Sequence, residues 1–168
     1  MPTATAAASR MSSGTSTDLT RFVRSLRTDP SGATSYVLLL GLPLSDQARI
    51  PTLVQQGVPF AHLERFQQNV GLSVEQIAGL VRIPPRTLTR RRQSGRLRPD
   101  ESDRLFRAAR VFGRVLALYD GNLDEAREWL ESPQRGLGGA VPLSLATTDH
   151  GAQTISEIIG RIEYGLGA

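Results

Sequence analysis

Ser73-Val-Glu-Gln-Ile-Ala-Gly-Leu-Val-Arg-Ile-Pro-Pro-Arg-Thr-Leu-Thr-Arg-Arg-Arg-Gln-Ser-Gly95 is the stretch that decides the fold. Ser73 has the chemistry of a helix N-cap, and Gln76, three residues on, completes a capping-box pattern. Ile77, Leu80 and Val81 then share one face of a short helix. Ile83-Pro-Pro ends it, because proline lacks an amide donor and restricts the residue before it. Pro85 suits the first turn of a second helix, from Arg86 to about Gln93, which Gly95 closes. Two short helices joined by a tight turn, the second loaded with arginine, make a helix-turn-helix pattern. Ala78 supplies the small residue where the helices cross, and Ile77, Val81, Ile83 and Leu88 supply apolar anchors. Two positions depart from the usual motif: the turn, often glycine, is Arg82, and an apolar site late in the second helix is Arg91.

Upstream, Ile50-Pro-Thr-Leu-Val-Gln-Gln-Gly57 reads as a short helix started by Pro51 and stopped by Gly57. Phe60, Leu63, Phe66 and Val70 recur at helical spacing after Pro59, and Gly71 ends that segment. Ser35 to Gly41 is apolar but too short to separate helix from strand. Residues 1–30 are rich in Ser, Thr and Ala, with little large to bury in the first eighteen, so they read as a disordered arm.

Downstream, Pro99 opens a long helix through Tyr119, with Leu105, Ala109, Phe112, Leu116 and Tyr119 on one face. Asn122 and Glu125 cap a helix carrying Ala126, Trp129 and Leu130, stopped at Ser132-Pro133. Gln134 to Ala140 is a glycine-rich loop, and Pro142 to Ala146 is long enough for one helical turn. Ala152, Ile155, Ile158, Ile159 and Ile162 mark a final amphipathic helix ended by Gly165, with Asp149 as a capping residue at its start. The expected class is all-α, with residues 31–119 as one module and 120–168 as a second.

All 20 basic residues are arginine, and they are unevenly placed. From Arg82 to Arg114 eleven arginines face three acids, a balance of +8; from Asp120 to Ala168 eight acids face three arginines, a balance of −5. Such asymmetry suggests that the two halves meet different partners. A basic block suits phosphate backbones, because neutralising phosphates releases condensed counterions. On the second helix of the motif, Arg86, Thr87, Thr89, Arg90 and Arg92 point outward by spacing. Arg86, Thr87 and Arg90 suit bases or nearby phosphates, and Arg92, Arg96 and Arg98 suit backbone clamping.

Catalysis finds little support. Cysteine is absent, and the two histidines, His62 and His150, stand in separate modules without metal-ligand spacing. Gly136, Gly138 and Gly139 lack the preceding strand and the lysine of a phosphate-binding loop. No enzyme activity, cofactor or metal site is expected. No apolar run approaches the ~20 residues that span a bilayer, and the lack of cysteine fits a reducing cytoplasm.

Several runs in series resemble one family: Gln56-Gly-Val-Pro59, Gly71-Leu-Ser, Arg86-Thr-Leu-Thr-Arg-Arg91, and Gly95-Arg-Leu-Arg-Pro-Asp-Glu-Ser-Asp-Arg-Leu105. The pattern continues through Ala109-Arg110, Val111-Phe112, Ala126, Trp129-Leu130, Pro133, Leu137-Gly138-Gly139, Pro142, Gly151 and Arg161-Ile-Glu-Tyr-Gly165. In that order they are similar to the Xre/MbcA/ParS antitoxins, from about Ser31 to the C-terminus. The resemblance implies an Xre-like module that binds operator DNA and represses its own operon. It also implies a C-terminal module that blocks the active site of a RES-domain toxin. Such toxins consume NAD, which would be the toxin's substrate rather than a ligand of this chain. Homodimers and higher-order toxin–antitoxin complexes are implied as well. The residues suit the division: Arg161, Glu163, Tyr164 and Gly165 end the last apolar stripe as polar toxin contacts, while the isoleucines behind them, and Trp129, read mainly as core. The alternative is a stand-alone Xre-type transcription regulator.

Overall fold

The computed structural model describes residues 16–166, and within them the regular structure is helical. The first element lies inside the expected disordered arm, which is thereby corrected over its last half. Helix α1 (Thr17–Ser25) is capped by the Ser16 hydroxyl, which accepts the Leu19 N–H, and it buries Leu19 and Phe22. Two large apolar side chains suffice because a third, polar tie supplements them. Buried Asp18 accepts from the Arg65 guanidinium at 2.5 and 3.1 Å and from Asn69 Nδ2 at 3.1 Å. The Arg65 hydrogen bond holds the Asp18 carboxyl below its ordinary range against the opposing effect of burial. These partners are about fifty residues away in sequence, beyond the reach of local composition. Residues 1–15 of the expected arm lie outside the described residues.

After α1 the chain reverses around Asp29. Its carboxylate accepts from the Ser31 hydroxyl, and from both the amide and the hydroxyl of Thr34 and of Ser35, at 2.8–3.1 Å. The ambiguous stretch Ser35–Leu40 is a 3₁₀ segment, every residue of it buried, and it ends at left-handed Gly41. Tyr36 meets the edge of Phe106 at 6.5 Å, and a Cβ on Gly113 would stand 2.7 Å from that of Tyr36, so glycine is what allows the approach.

Helices α2 (Ile50–Gln56), α3 (Phe60–Val70), α4 (Val74–Val81) and α5 (Pro85–Ser94) follow with the expected starts and stops. Ser73 and Gln76 form the full capping box. Arg82 takes φ 53°, ψ 45°, the left-handed conformation that a turn glycine would adopt, so the backbone geometry of the motif survives the substitution. Helix α6 (Pro99–Leu118) is the spine: Leu105, Phe106, Ala108, Ala109, Phe112, Val115 and Leu116 are all buried along it. Phe66 of α3 stacks edge-on against Phe112 at 5.4 Å. Arg104 Nε donates to the Val81 carbonyl at 2.6 Å, tying the end of α4 to the same spine.

The C-terminal part packs on another face of α6. Asn122 caps α7 (Leu123–Glu131), whose Ala126, Trp129 and Leu130 are buried. The glycine-rich loop includes a 3₁₀ turn over Arg135–Leu137, and α8 (Pro142–Leu145) is a single turn. Thr148, rather than Asp149, caps α9 (Asp149–Glu163), its hydroxyl accepting the Gly151 N–H at 3.0 Å. Asp149 instead accepts from Arg107 Nε at 2.6 Å, joining the start of α9 to the spine. Ile155, Ile158 and Ile159 are buried, as a core reading requires.

Candidate nucleic-acid and partner interfaces

Helix α5 is held by one face only. Leu88 is its one buried side chain, and Arg91, half-buried, replaces the expected apolar anchor by pairing with Glu101 at 2.7 Å. Its C-terminal end is fastened by main-chain hydrogen bonds on either side of Pro59 and Arg96: the Phe60 N–H donates to Gly95 O, and the Leu97 N–H to Val58 O, each at 2.9 Å. The rest of the helix faces outward. Arg86, Thr89, Arg90 and Gln93 recur at the spacing of one helical face, and with Thr87 they line one shallow surface at the front of α5. The Thr89 hydroxyl donates back to the Pro85 carbonyl at 3.2 Å, leaving its lone pairs outward. No side chain caps the first turn, so its amides and the helix dipole add positive potential on the side of Arg86 and Thr87.

The remaining predicted clamps do not join that surface. Arg92 donates to Glu64 at 3.0 Å and lies 5.5 Å from the centre of the Phe60 ring. Arg96 donates to the Gly57 carbonyl, and Arg98 lies 3.7 Å from Asp100. All three stay exposed, so they flank the patch as a second row whose charge is partly engaged within the fold. Gln93 was absent from the sequence reading, although its position seven residues after Arg86 is the signal that places it.

Pairing also trims the basic block. Of the eleven arginines from Arg82 to Arg114, six have an acidic partner within 4 Å: Arg91, Arg92, Arg98, Arg104, Arg107 and Arg114. Arg82, Arg86, Arg90, Arg96 and Arg110 have none among the described residues. The uncompensated charge therefore centres on α5 and its edges.

At the other end, Arg161 and Tyr164 project from the end of α9, with Tyr164 81% exposed and Leu166 70% exposed beyond it. Glu163 is turned back by Arg114 at 3.2 Å, and Gly165 has a left-handed φ of 65°. Of the four predicted contacts, Arg161 and Tyr164 are thus unengaged by other described side chains, while Glu163 is a tether. No helix among the described residues is long and apolar enough to cross a membrane.

An all-helical chain with an outward, cationic second helix after a capped first one is a helix-turn-helix protein, here extended by a second helical module. Residues 40–110 match the family model of the antitoxin Xre-like helix-turn-helix domain. Residues 108–165 match that of the antitoxin Xre/MbcA/ParS C-terminal toxin-binding domain. The two matches meet within α6, the helix on which both parts pack. Similar proteins include an Antitoxin Xre of Yersinia enterocolitica, 33% identical over 128 residues, and one of Photorhabdus laumondii, 31% identical over 128 residues. Each alignment covers 76% of this chain and 86% of the relative. An Antitoxin Xre of Pseudomonas putida is 36% identical over 86 residues, covering 51% of this chain and 54% of that protein. The chain belongs to the Xre antitoxin family, with a helix-turn-helix domain followed by a toxin-binding domain.

Proposed function

We propose that this protein is the cytoplasmic antitoxin of a type II pair whose toxin is a RES-domain, NAD-consuming enzyme, and that it represses its own operon as a homodimer on operator DNA. The observation that carries the DNA half is the bare cationic face of α5, left unpaired while most neighbouring arginines are neutralised. Arg86, Thr87, Thr89 and Arg90 read the groove; Arg92, Arg96 and Arg98 flank it against phosphates. Dimer half-sites then fall about one helical turn, ~34 Å, apart. For the toxin half, the end of α9 presents Arg161, Tyr164 and Gly165, with Glu163 holding the turn, and these cap the toxin's active site.

Two experiments test this reading. In a gel shift with DNA from upstream of the gene, the double variant Arg86→Ala, Arg90→Ala should lose binding while its circular dichroism matches the wild type. Retained binding would remove α5 as the recognition helix. Co-expression with the neighbouring toxin gene should restore growth, and truncation after Gly160 should abolish the rescue. That truncation removes one half-buried apolar side chain, Ile162, and the Arg114–Glu163 pair, so the domain stays folded. Rescue by the truncated protein would place the cap elsewhere, and no rescue by the full chain would leave a helix-turn-helix regulator without a toxin.

A further inference from the structure

The acidic character of the C-terminal module has a location. Its carboxylates Glu131, Asp149 and Glu163 are paired with Arg127, Arg107 and Arg114. Asp120, Asp124, Glu125, Glu128 and Glu157 have no cation within 4 Å among the described residues. Glu157, on α9, accepts from Gln153 at 3.1 Å, and the other four stand at the corner where α6 passes into α7. There a crevice of about 440 Å³ opens, lined by Tyr119, Glu125, Glu128, Trp129, Ser132 and Gln134.

Its walls are fixed. The Gln134 side-chain amide donates to the carbonyls of Trp129 and Ser132 at 2.9 and 3.1 Å, and Glu125 accepts from Asn122 Nδ2 at 2.7 Å. Burial, and then the nearby Glu125 and Glu128 carboxylates, hold the Tyr119 phenol above its ordinary pKa, so the field of both acids reaches the aromatic wall. Aromatic surface beside two unpaired carboxylates is chemistry suited to a cation. The rings attract positive charge through their quadrupoles, and the carboxylates supply charge-assisted hydrogen bonds. A phosphate or an acidic peptide is repelled, and an apolar occupant would strip water from two carboxylates without compensation. Two carboxylates fall short of a metal centre, and among the described residues no group of three or more His, Cys, Asp or Glu is placed to hold a metal ion.

We propose that this crevice receives an arginine or lysine side chain of the toxin, as a second docking point separate from the α9 end. The proposal rests on the antitoxin reading above and deepens it. The occupant is assigned to the toxin because every lining residue lies within the stretch that matches the toxin-binding domain, and because the two carboxylates have no cation within 4 Å among the described residues, the neighbouring Arg127 pairing with Glu131 instead.

The test uses the full chain and the purified toxin encoded beside it, with affinity measured across a salt series. Glu125→Gln with Glu128→Gln should weaken binding about ten- to a hundredfold and flatten its salt dependence. Both side chains are exposed, so the fold is preserved, and an unchanged circular dichroism spectrum confirms this. Glu128→Arg should weaken binding further, and operator binding should be unaffected in both variants. Unchanged toxin affinity in the variants, with wild-type binding intact, overturns the crevice alone. Failure of the wild-type chain to bind the toxin overturns the antitoxin reading with it. Loss of self-association with toxin affinity unchanged would give the crevice to a second copy and also overturn the proposal.

Discussion

Replacing Arg91 by alanine should cost about 3 kcal/mol of stability, although the residue sits on a recognition helix. Arg91 Nε donates to both oxygens of Glu101, at 2.7 and 3.1 Å, and the two side chains are only 15% and 6% exposed. Burial raises the Glu101 pKa, but the Arg91 hydrogen bond and the Arg98 N–H at 2.8 Å outweigh it and hold the carboxyl below its ordinary value. Removing the guanidinium leaves a buried carboxylate with a single donor. Breaking a buried pair typically costs about 3–5 kcal/mol, and the residual exposure of Arg91 places this case at the lower end. Against a total stability of about 5–15 kcal/mol, such a loss is large. Replacing both residues by leucine should recover most of it, because apolar residues of similar volume remove the unpaired charge; the lost Glu101–Arg98 contact leaves a deficit of about 1 kcal/mol. Urea unfolding of wild type, Arg91→Leu, Glu101→Leu and the double variant measures this; with about 3 kcal/mol lost for Arg91, about 1 for Glu101 and about 1 for both, the expected coupling is about 3 kcal/mol. A loss below about 1 kcal/mol for Arg91→Ala, or a coupling near zero, would refute the assignment of Arg91 as a substitute core anchor.

Two further outcomes follow from the same structure. The Asp29 carboxyl is opposed by burial but held by the Thr34 and Ser35 hydrogen bonds at a pKa of about 2, against an ordinary 3.8. Its folded-state pKa being depressed, it contributes stability, about 2 kcal/mol, that is fully present above pH 4 and is lost as the pH falls toward 2. The unfolding free-energy gap between wild type and Asp29→Asn should therefore narrow over that window, and a gap that stays constant would contradict it. Gly151→Ala would put a Cβ 1.9 Å from the Leu145 carbonyl oxygen, a clash that only backbone movement between α8 and α9 relieves. It should destabilise the protein by about 3 kcal/mol or more in thermal unfolding and abolish toxin neutralisation in co-expression, and wild-type stability would show the helices to be less closely packed.

Much of the helical framework was legible because its signals are short-range. Ser73 with Gln76, Asn122 with Glu125, and the terminal glycines Gly57, Gly71 and Gly95 act within a turn of their own position. Ser35–Leu40 was not, since the five consecutive apolar residues Tyr36–Leu40 bury equally well in several backbone forms until a neighbour such as Phe106 is in place. Helix α1 was missed for a related reason: Asp18 and Ser16 look solvent-seeking until Arg65 and Asn69 are brought to them. The departure at Arg82 dissolved once its left-handed backbone was seen, and that at Arg91 once Glu101 stood beside it.

The recognition helix followed the same division. Spacing alone put Arg86, Thr89 and Arg90 on one face, and the packing then left that face bare. Arginine count, by contrast, said little about which charges are available. Arg92 and Arg98 carry the same formal charge as Arg90, yet Glu64 and Asp100 partly neutralise them. By itself the sequence determined most helix boundaries from Ile50 onward, the helix-turn-helix and the opposite charge of the two ends, because caps, turns and periodicity are properties of neighbouring residues. Only the tertiary structure decided which charges remain free to meet a partner, because burial and ion pairing depend on side chains that the chain brings together from tens of residues apart.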